Sequence, residues 1–535
     1  MAEAARDWAL LLTRQPSVTG SADEALFAPW LAERLNVAFG ARAEVWTEAV
    51  AESDPRQNVF MLLRGGGPRT LVLTGHFDTV TTDDYAELKP LATEPERLLP
   101  ALLAKLEAKT PRAPAEERAL DDLASGRFLP GRGLLDMKAG LAAGLALCEE
   151  FARTTGATGN LLFLAVPDEE ANSAGARGAA AVLGRVARER RLELVGAVNL
   201  DSIADDTDGA NGRVVAEGTV GKLLPTAFVV GVSAHAGFPL NGLSAGVIAA
   251  SIASRVEWAG ELTDDGANGG PRTPPSLLSL HDGKRGYDVT TPGTGFATFN
   301  VLTTARSPAE ILDAFDRLCA QAAAELLERL RGRIGTQAES PRLIDRLPDI
   351  PVIRFADVLA RVEDRAGLAA AANDAALGGA TLPDQCWAIT QRAWELSGLT
   401  GPAIVTGFGS TPYLATSLSG VPQARRLAQV SENAIVAAGK RFGIGIRKEP
   451  FFAGISDMSF LGEGDAGALD LVTRNTPAFA LVEGGSPVVV AGIPVVNAGP
   501  WGRDYHTPLE RLETTYAFEI LPELLAAIAA EMLEG

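Results

Sequence analysis

Short unbroken apolar runs alternate with longer stretches in which apolar residues return every three or four positions. Leu71–Leu73, Asn160–Val166 and Leu194–Leu200 are such runs and read as buried parallel strands. Residues 2–14, Ala22–Leu35, Gly140–Arg153 and Ala179–Glu189 carry the helical period between them. Ala43–Trp46 and Asn58–Leu63 read as strands of a hairpin or meander. This alternation predicts an α/β sheet. One excursion, Thr81–Phe128, breaks it; it holds a charged helix-like piece (Pro100–Ala108) and a polar stretch, and reads as decorated surface rather than as a rim over a site.

The character changes at Glu217–Lys222. A strand (Leu223–Val232), a helix (Gly242–Trp258), two strands (near Ser276–Leu280 and Thr294–Leu302) and a long helix (Pro308 to about Gly332) follow, an order that suits a small α+β domain of the split-βαβ, ferredoxin-like type. The chain is therefore expected to divide as 1–218, 219–340 and 341–535, the middle piece interrupting a larger domain. In the last piece Pro348–Leu359 reads as strand and helix, Ala369–Ala380 as a loop or poor helix, and Asp384–Leu396 and Gln423–Lys440 as helices. Gly401–Thr406 is strand-like, Val488–Val496 is expected as the last strand, and Thr515–Leu533 as the terminal helix.

With 535 residues the chain is long enough for more than one core. A formal net charge of −19 argues against nucleic acid and anionic membranes as partners. The three cysteines (Cys148, Cys319, Cys386) are dispersed, which disfavours a disulfide framework or a thiolate zinc site. No leader-like N-terminus or membrane-length apolar run is present, so a cytoplasmic location is expected.

The chemistry gathers at strand ends. His76 and Asp78 stand two apart at the end of the Leu71 run and point to the same side of an extended chain. Asp136 sits at a helix entry after Gly131-Arg132-Gly133, where capping alone accounts for it as an isolated residue. Glu169 and Glu170 follow the Asn160–Val166 strand, and Asp201 follows the next. So many carboxylates in one place are unfavourable unless a cation holds them, and imidazole with carboxylate suits zinc, manganese or cobalt. His506, just before Thr507-Pro508, is a further ligand candidate, and Asp457 lies in a loop that looks functional. Gly242-Leu243-Ser244-Ala245-Gly246 matches a nucleophile-elbow string, but a loop precedes it and Ser244 reads as an ordinary first-turn residue; His281 reads as a surface histidine in a loop.

In order, GHFDTV, GRGLLDMKAG, PDEEANSAGARG, NLDS, SAHAG, the NVL at Asn300 and GPWGRDYHTPLERL resemble the co-catalytic dizinc peptidase and deacylase family, which includes carboxypeptidase G, aminoacylase, succinyl-diaminopimelate desuccinylase and peptidase T. The long form and the ending are most similar to its RocB-type arginine-utilisation branch. The resemblance implies a mixed-sheet α/β catalytic domain interrupted by a lid or dimerisation domain. It implies two Zn2+, or Co2+ or Mn2+, bridged by Asp136, with His76 and Asp201 completing one site and Glu170 and His506 the other. Asp78 would orient His76, Glu169 would be the general base, and His235 would stabilise the oxyanion from a partner subunit or through domain closure. Asn300 matches the lid asparagine, and a cis peptide is expected at Asp136–Met137. Asp205, Asp206 and Asp208 lie close enough to Asp201 to compete for its place.

Two metals roughly 3.5–4 Å apart polarise a carbonyl and acidify a shared water. The expected reaction is hydrolysis of an amide or peptide bond next to a carboxylate, on an N-acyl amino acid or short peptide, in a chain that the resemblance also allows to be a homodimer. A dimetal hydrolase of another bond, or a non-catalytic metal-binding or regulatory homologue, stands as the alternative.

Overall fold

The computed structural model describes residues 1–535 apart from 53, 265, 267–271, 285, 335–342, 348, 379, 419, 453, 463, 482–488 and 535. The chain forms two compact units, one of Met1–Thr219, Thr416–Glu463 and Val489–Gly535, the other of Val220–Ala415 and Gly464–Val488.

The first unit is built on an eight-stranded mixed sheet in the order Ala43–Ala49, Gln57–Arg64, Thr158–Val166, Gly66–His76, Glu193–Asn199, Val495–Ala498, Val214–Ala216, Arg447–Glu449. The apolar strand Gly66–His76 lies inside it, parallel to both neighbours, Thr158–Val166 and Glu193–Asn199. Register pairs His76 with Val166 and Thr74 with Asn199. His76, the residues just past Val166 and the residues just past Asn199 therefore emerge at one edge, where open parallel sheets keep their sites. Helix Ala139–Arg153 is buried from Ala139 to Cys148. A Cβ at Gly140 would fall 2.0 Å from the Leu200 carbonyl oxygen, so glycine is what lets this helix press against the strand end that leads to Asp201.

A second, four-stranded sheet in this unit has the order Phe128–Pro130, Arg511–Glu513, Trp501–Arg503, Ile203–Ala204. The strand expected last, from Val488, is in fact Val495–Ala498, and two more follow it; Val488 lies outside the described residues. The Thr81–Phe128 excursion is also more ordered than expected. It forms helices Pro95–Ala108 and Pro114–Ala124, whose Leu98, Leu102, Leu106, Ala119 and Leu123 join the main core.

In the second unit, Pro225–Val230, Ser276–Asp282, Thr294–Thr303 and Ala403–Phe408 are the four ferredoxin-like strands of a six-stranded sheet, to which Gly221–Leu223 and Val352–Arg354 add at its margins. Thr294–Thr303 pairs antiparallel with the first two, and Ala403–Phe408 pairs antiparallel with Pro225–Val230. The expected boundary at 340 is thus corrected to Ala415, because the fourth strand arrives only at Ala403 after helices Arg365–Leu377 and Leu382–Leu396. The stretch read as loop or poor helix is the first of these, capped by Asp364 accepting the Gly367 N–H at 2.9 Å. His281 belongs to the second strand rather than a loop and is exposed; Ser244 is the residue before helix Ala245–Val256, preceded by the turn Pro239–Asn241. No helix among the described residues is long and apolar enough to cross a membrane.

Candidate metal centre

Two groups of ligand-type side chains meet at the sheet edge: His76, Asp136 and Asp201, and Asp136, Glu170 and His506. Asp136 belongs to both and divides its oxygens between them. Oδ1 lies 3.3 Å from His76 Nε2, and Oδ2 lies 3.1 Å from His506 Nε2. Asp201 Oδ1 is 3.8 Å from His76 Nε2, and Glu170 Oε1 is 3.2 Å from His506 Nε2. Glu169 Oε2 stands 3.9 Å from His76 Nε2, beside the first group. Asp205 is turned away from this cluster. Its carboxylate accepts the Thr207, Asn211 and Gly212 N–H groups.

The small sheet explains the convergence. Asp136 follows its strand Phe128–Pro130 by a short turn, Asp201 precedes Ile203–Ala204, and His506 lies in the loop joining its two central strands. The Asp136–Met137 peptide is cis. Behind Asp201, Asn497 accepts the Asp201 N–H at 3.1 Å and donates to the Asp201 carbonyl at 2.8 Å, while Asn199 bonds Asn497 and Ser456. Asp457, next to Ser456, is buried, and burial pushes its carboxyl up to about 7.

Asp78 meets His76 through both its side chain and its backbone, its carboxylate Oδ1 lying 3.5 Å from His76 Nδ1. His76 Nδ1 meets the Asp78 backbone carbonyl at 3.0 Å, which turns Nε2 toward Asp136 and Asp201. The Asp78 carboxylate also accepts the Glu169 N–H (3.1 Å), the Glu170 N–H (3.2 Å) and the Thr19 hydroxyl (2.9 Å). One buried side chain therefore fixes the turn that carries both glutamates.

The charges strain against one another. Burial drives the Glu169 carboxyl well above its usual range, and it raises Glu170 and Asp201 as well. On His76, burial works downward but is outweighed by Asp136, Asp201 and Asp78, which hold the imidazole well above its usual range. His506 follows the same balance, with burial outweighed by Asp136 and Glu170, and is pushed up to about 10. Asp136 is lowered: its burial is overcome by the two histidines. Glu170 Oε1 is buried, facing His506 Nε2 at 3.2 Å without an aligned hydrogen bond. A buried carboxylate oxygen between a shared carboxylate and an imidazole fits a divalent cation.

The sequence profile of peptidase family M20/M25/M40 matches residues 114–478. The chain belongs to this family. This M20 family chain is 32% identical to the Bacillus subtilis protein YqjN over 478 residues, covering 87% of this chain and 84% of YqjN. It is 27% identical to Bacillus subtilis RocB over 514 residues, covering 92% and 88%. Among solved structures, a tripeptidase of Staphylococcus aureus has the same fold at a TM-score of 0.54 and 15% identity, covering 100% of this chain and 99% of its own. The M20 assignment makes the chain a hydrolase of the metallopeptidase class. His76 and His506 lie outside the profile match, so their placement rests on the geometry.

His235 and Asn300 belong to the second unit. His235 is exposed, and its Nδ1 accepts the Gly237 N–H at 3.0 Å, which places the ring proton on Nε2. Asn300 is half-buried on the strand Thr294–Thr303, opposite Ser276. Sequence reading missed Arg132 and Glu510, a fully buried pair 2.7 Å apart that ties the Asp136 turn to the His506 loop. Their motifs, GRG and TPLER, were visible, but their partnership was not.

Proposed function

We propose that the chain is a dimetal hydrolase of an amide or peptide bond, acting on an N-acyl amino acid or short peptide. The observation that carries this reading is the division of the Asp136 carboxylate, one oxygen toward His76 and the other toward His506, each histidine accompanied by its own further carboxylate. His76 and Asp201 would hold one divalent cation, zinc, cobalt or manganese, and Glu170 and His506 the other, with Asp136 between them. When bound, such a pair acidifies a shared water and polarises the scissile carbonyl.

Glu169 is the general base. It stands beside the first ligand group, and its burial raises its proton affinity, as a general base requires. It takes the proton from water and returns it to the leaving amine. The backbone bonds from Glu169 and Glu170 to Asp78 fix the turn from which the base and its neighbouring ligand project. His235, with its proton on Nε2, is assigned as donor to the developing oxyanion.

The test is metal content together with hydrolysis of N-acyl amino acids, N-acyl arginine among them, and short peptides. Glu169→Gln should retain two equivalents of metal and the parent fold while turnover falls by about 10²–10⁴. Turnover near the parent value would refute Glu169 as the base.

A further inference from the structure

The Thr81–Arg127 segment grips both loops of the metal centre with charged side chains. Its helix Pro114–Ala124 presents Asp122 to Arg503 Nη1 at 2.9 Å and to Arg511 Nε and Nη2 at 2.8 and 2.7 Å. These two arginines stand at opposite ends of the loop whose middle is His506. Arg511 is fully buried, and it also donates to Asp504 and to the Leu509 carbonyl, inside that loop. One turn earlier on the same helix face, Arg118 reaches the Asp206 carbonyl at 3.1 Å. The start of the segment holds the other loop. Asp84 takes Arg132 Nη2 at 2.7 Å, the Thr81 carbonyl takes Nε at 3.1 Å, and the buried Tyr85 ring lies 5.2 Å from the guanidinium. Arg132 and the Gly133 N–H in turn hold Glu510 at 2.7 and 2.9 Å.

We propose that this segment is a brace which positions the His506 side of the dimetal site, with Asp122 as its principal positioning residue, an inference that rests on the dimetal reading. The asymmetry is specific. His76 and Asp201 are held by the central sheet and the Asn199–Asn497 network. His506 has a side chain 41% exposed and belongs to a loop whose two ends share the Asp122 carboxylate. Removing Asp122 should release that loop without touching the strand that ends at His76.

The experiment is a stepwise Co2+ titration of the metal-free full chain, followed by visible absorption and chelator competition, with thermal unfolding measured alongside. His506→Ala identifies the equivalent that belongs to the His506 side. Asp121→Ala, an exposed neighbour on the same helix, is the control. Asp122→Ala should weaken the His506-side equivalent by about 10–100-fold and leave the other as in the parent. Parent-like binding of both equivalents overturns the brace, as does equal loss of both with lowered thermal stability. If Asp122→Ala fails to fold, Asp122→Asn, which keeps one acceptor, must show the same selective loss in smaller measure, and its absence also overturns the proposal. A parent protein that takes up fewer than two equivalents overturns the dimetal reading itself, and the brace with it.

Discussion

Asp78→Asn changes almost nothing in volume and removes one acceptor. The carboxylate is fully buried and receives three hydrogen bonds, from the Glu169 N–H, the Glu170 N–H and Thr19. An amide keeps one oxygen and turns an NH2 toward the other donors. If the oxygen stays with Glu169, the new donor opposes the Glu170 N–H; in the reverse orientation it opposes Glu169. A hydrogen bond to a charged acceptor is worth about 1.5–3 kcal/mol, and a buried donor left without an acceptor costs about 1–3 kcal/mol. Some 3 kcal/mol therefore acts on the turn that holds the proposed base and one proposed ligand, which corresponds to a rate loss on the order of 100-fold. The assay is steady-state kinetics at saturating metal, with metal content and urea unfolding measured on the same samples. The expected result is a kcat reduced on the order of 100-fold with KM little changed and the fold retained. Thr19→Val removes one donor to the carboxylate, about 1.5 kcal/mol, but leaves both backbone bonds to it, and should cost about tenfold or less. Parent-like kcat in Asp78→Asn, or an equal loss in Thr19→Val, would show that the carboxylate does not fix this turn.

Asp136→Ala should lose both metals, since each ligand group depends on it; two retained equivalents in elemental analysis would contradict the shared carboxylate. His235→Ala should lower kcat by about 10²–10³ while metal content stays at the parent value, and unchanged kinetics would remove it from the mechanism. A pH effect is expected in the second unit. Burial works to raise the Asp264 carboxyl, but the Ala305, Arg306, Thr304 and Gly266 N–H groups outweigh it and lower the carboxyl from 3.8 to about 2. A depressed carboxylate stabilises the fold above its unfolded value and loses that contribution as pH falls through the folded one, here worth about 2 kcal/mol between pH 4 and 2. Asp264→Asn should forfeit this at neutral pH and flatten the acid dependence of hydrogen exchange in the strand Thr294–Thr303; an unaltered acid profile would refute the assignment.

The sheet and the site were legible for one shared reason. Parallel strands buried on both faces appear as continuous apolar runs, and a parallel register places their following residues at a common edge. His76, Glu169 and Asp201 could therefore be grouped from sequence order alone. Asp136 was grouped with them through its loop and His506 stood as a further candidate, but their roles as bridge and second-site ligand came from the family resemblance, because the small sheet that carries them is made of two- and three-residue strands too short to show alternation. The far boundary of the second unit was missed because its fourth strand comes after two helices, one of them rich in alanine and read as a loop. His281 was read as loop because its strand ends in exposed polar residues, where burial no longer shapes the pattern.

The Thr81–Phe128 segment failed for a different reason. Its apolar spacing was present in Leu98, Leu102 and Leu106, yet Pro95, Pro100, Pro111 and Pro114 punctuate it as a loop would. Two of these prolines stand at the starts of helices, where the missing N–H costs nothing. What the segment does is harder still to read, because Asp122 meets Arg511 from 389 positions away. Local pattern encodes which face of an element is buried; it carries no record of which distant charge a buried arginine will find. A buried arginine does require a carboxylate, however, since an unpaired one is far more costly than a paired one. The density of arginines around His506, Arg503 and Arg511 with Arg132 beyond, is thus the trace that a bracing element leaves in the sequence. It says that acidic partners must arrive from elsewhere in the chain, and the otherwise superfluous Thr81–Phe128 segment is where two of them, Asp84 and Asp122, reside.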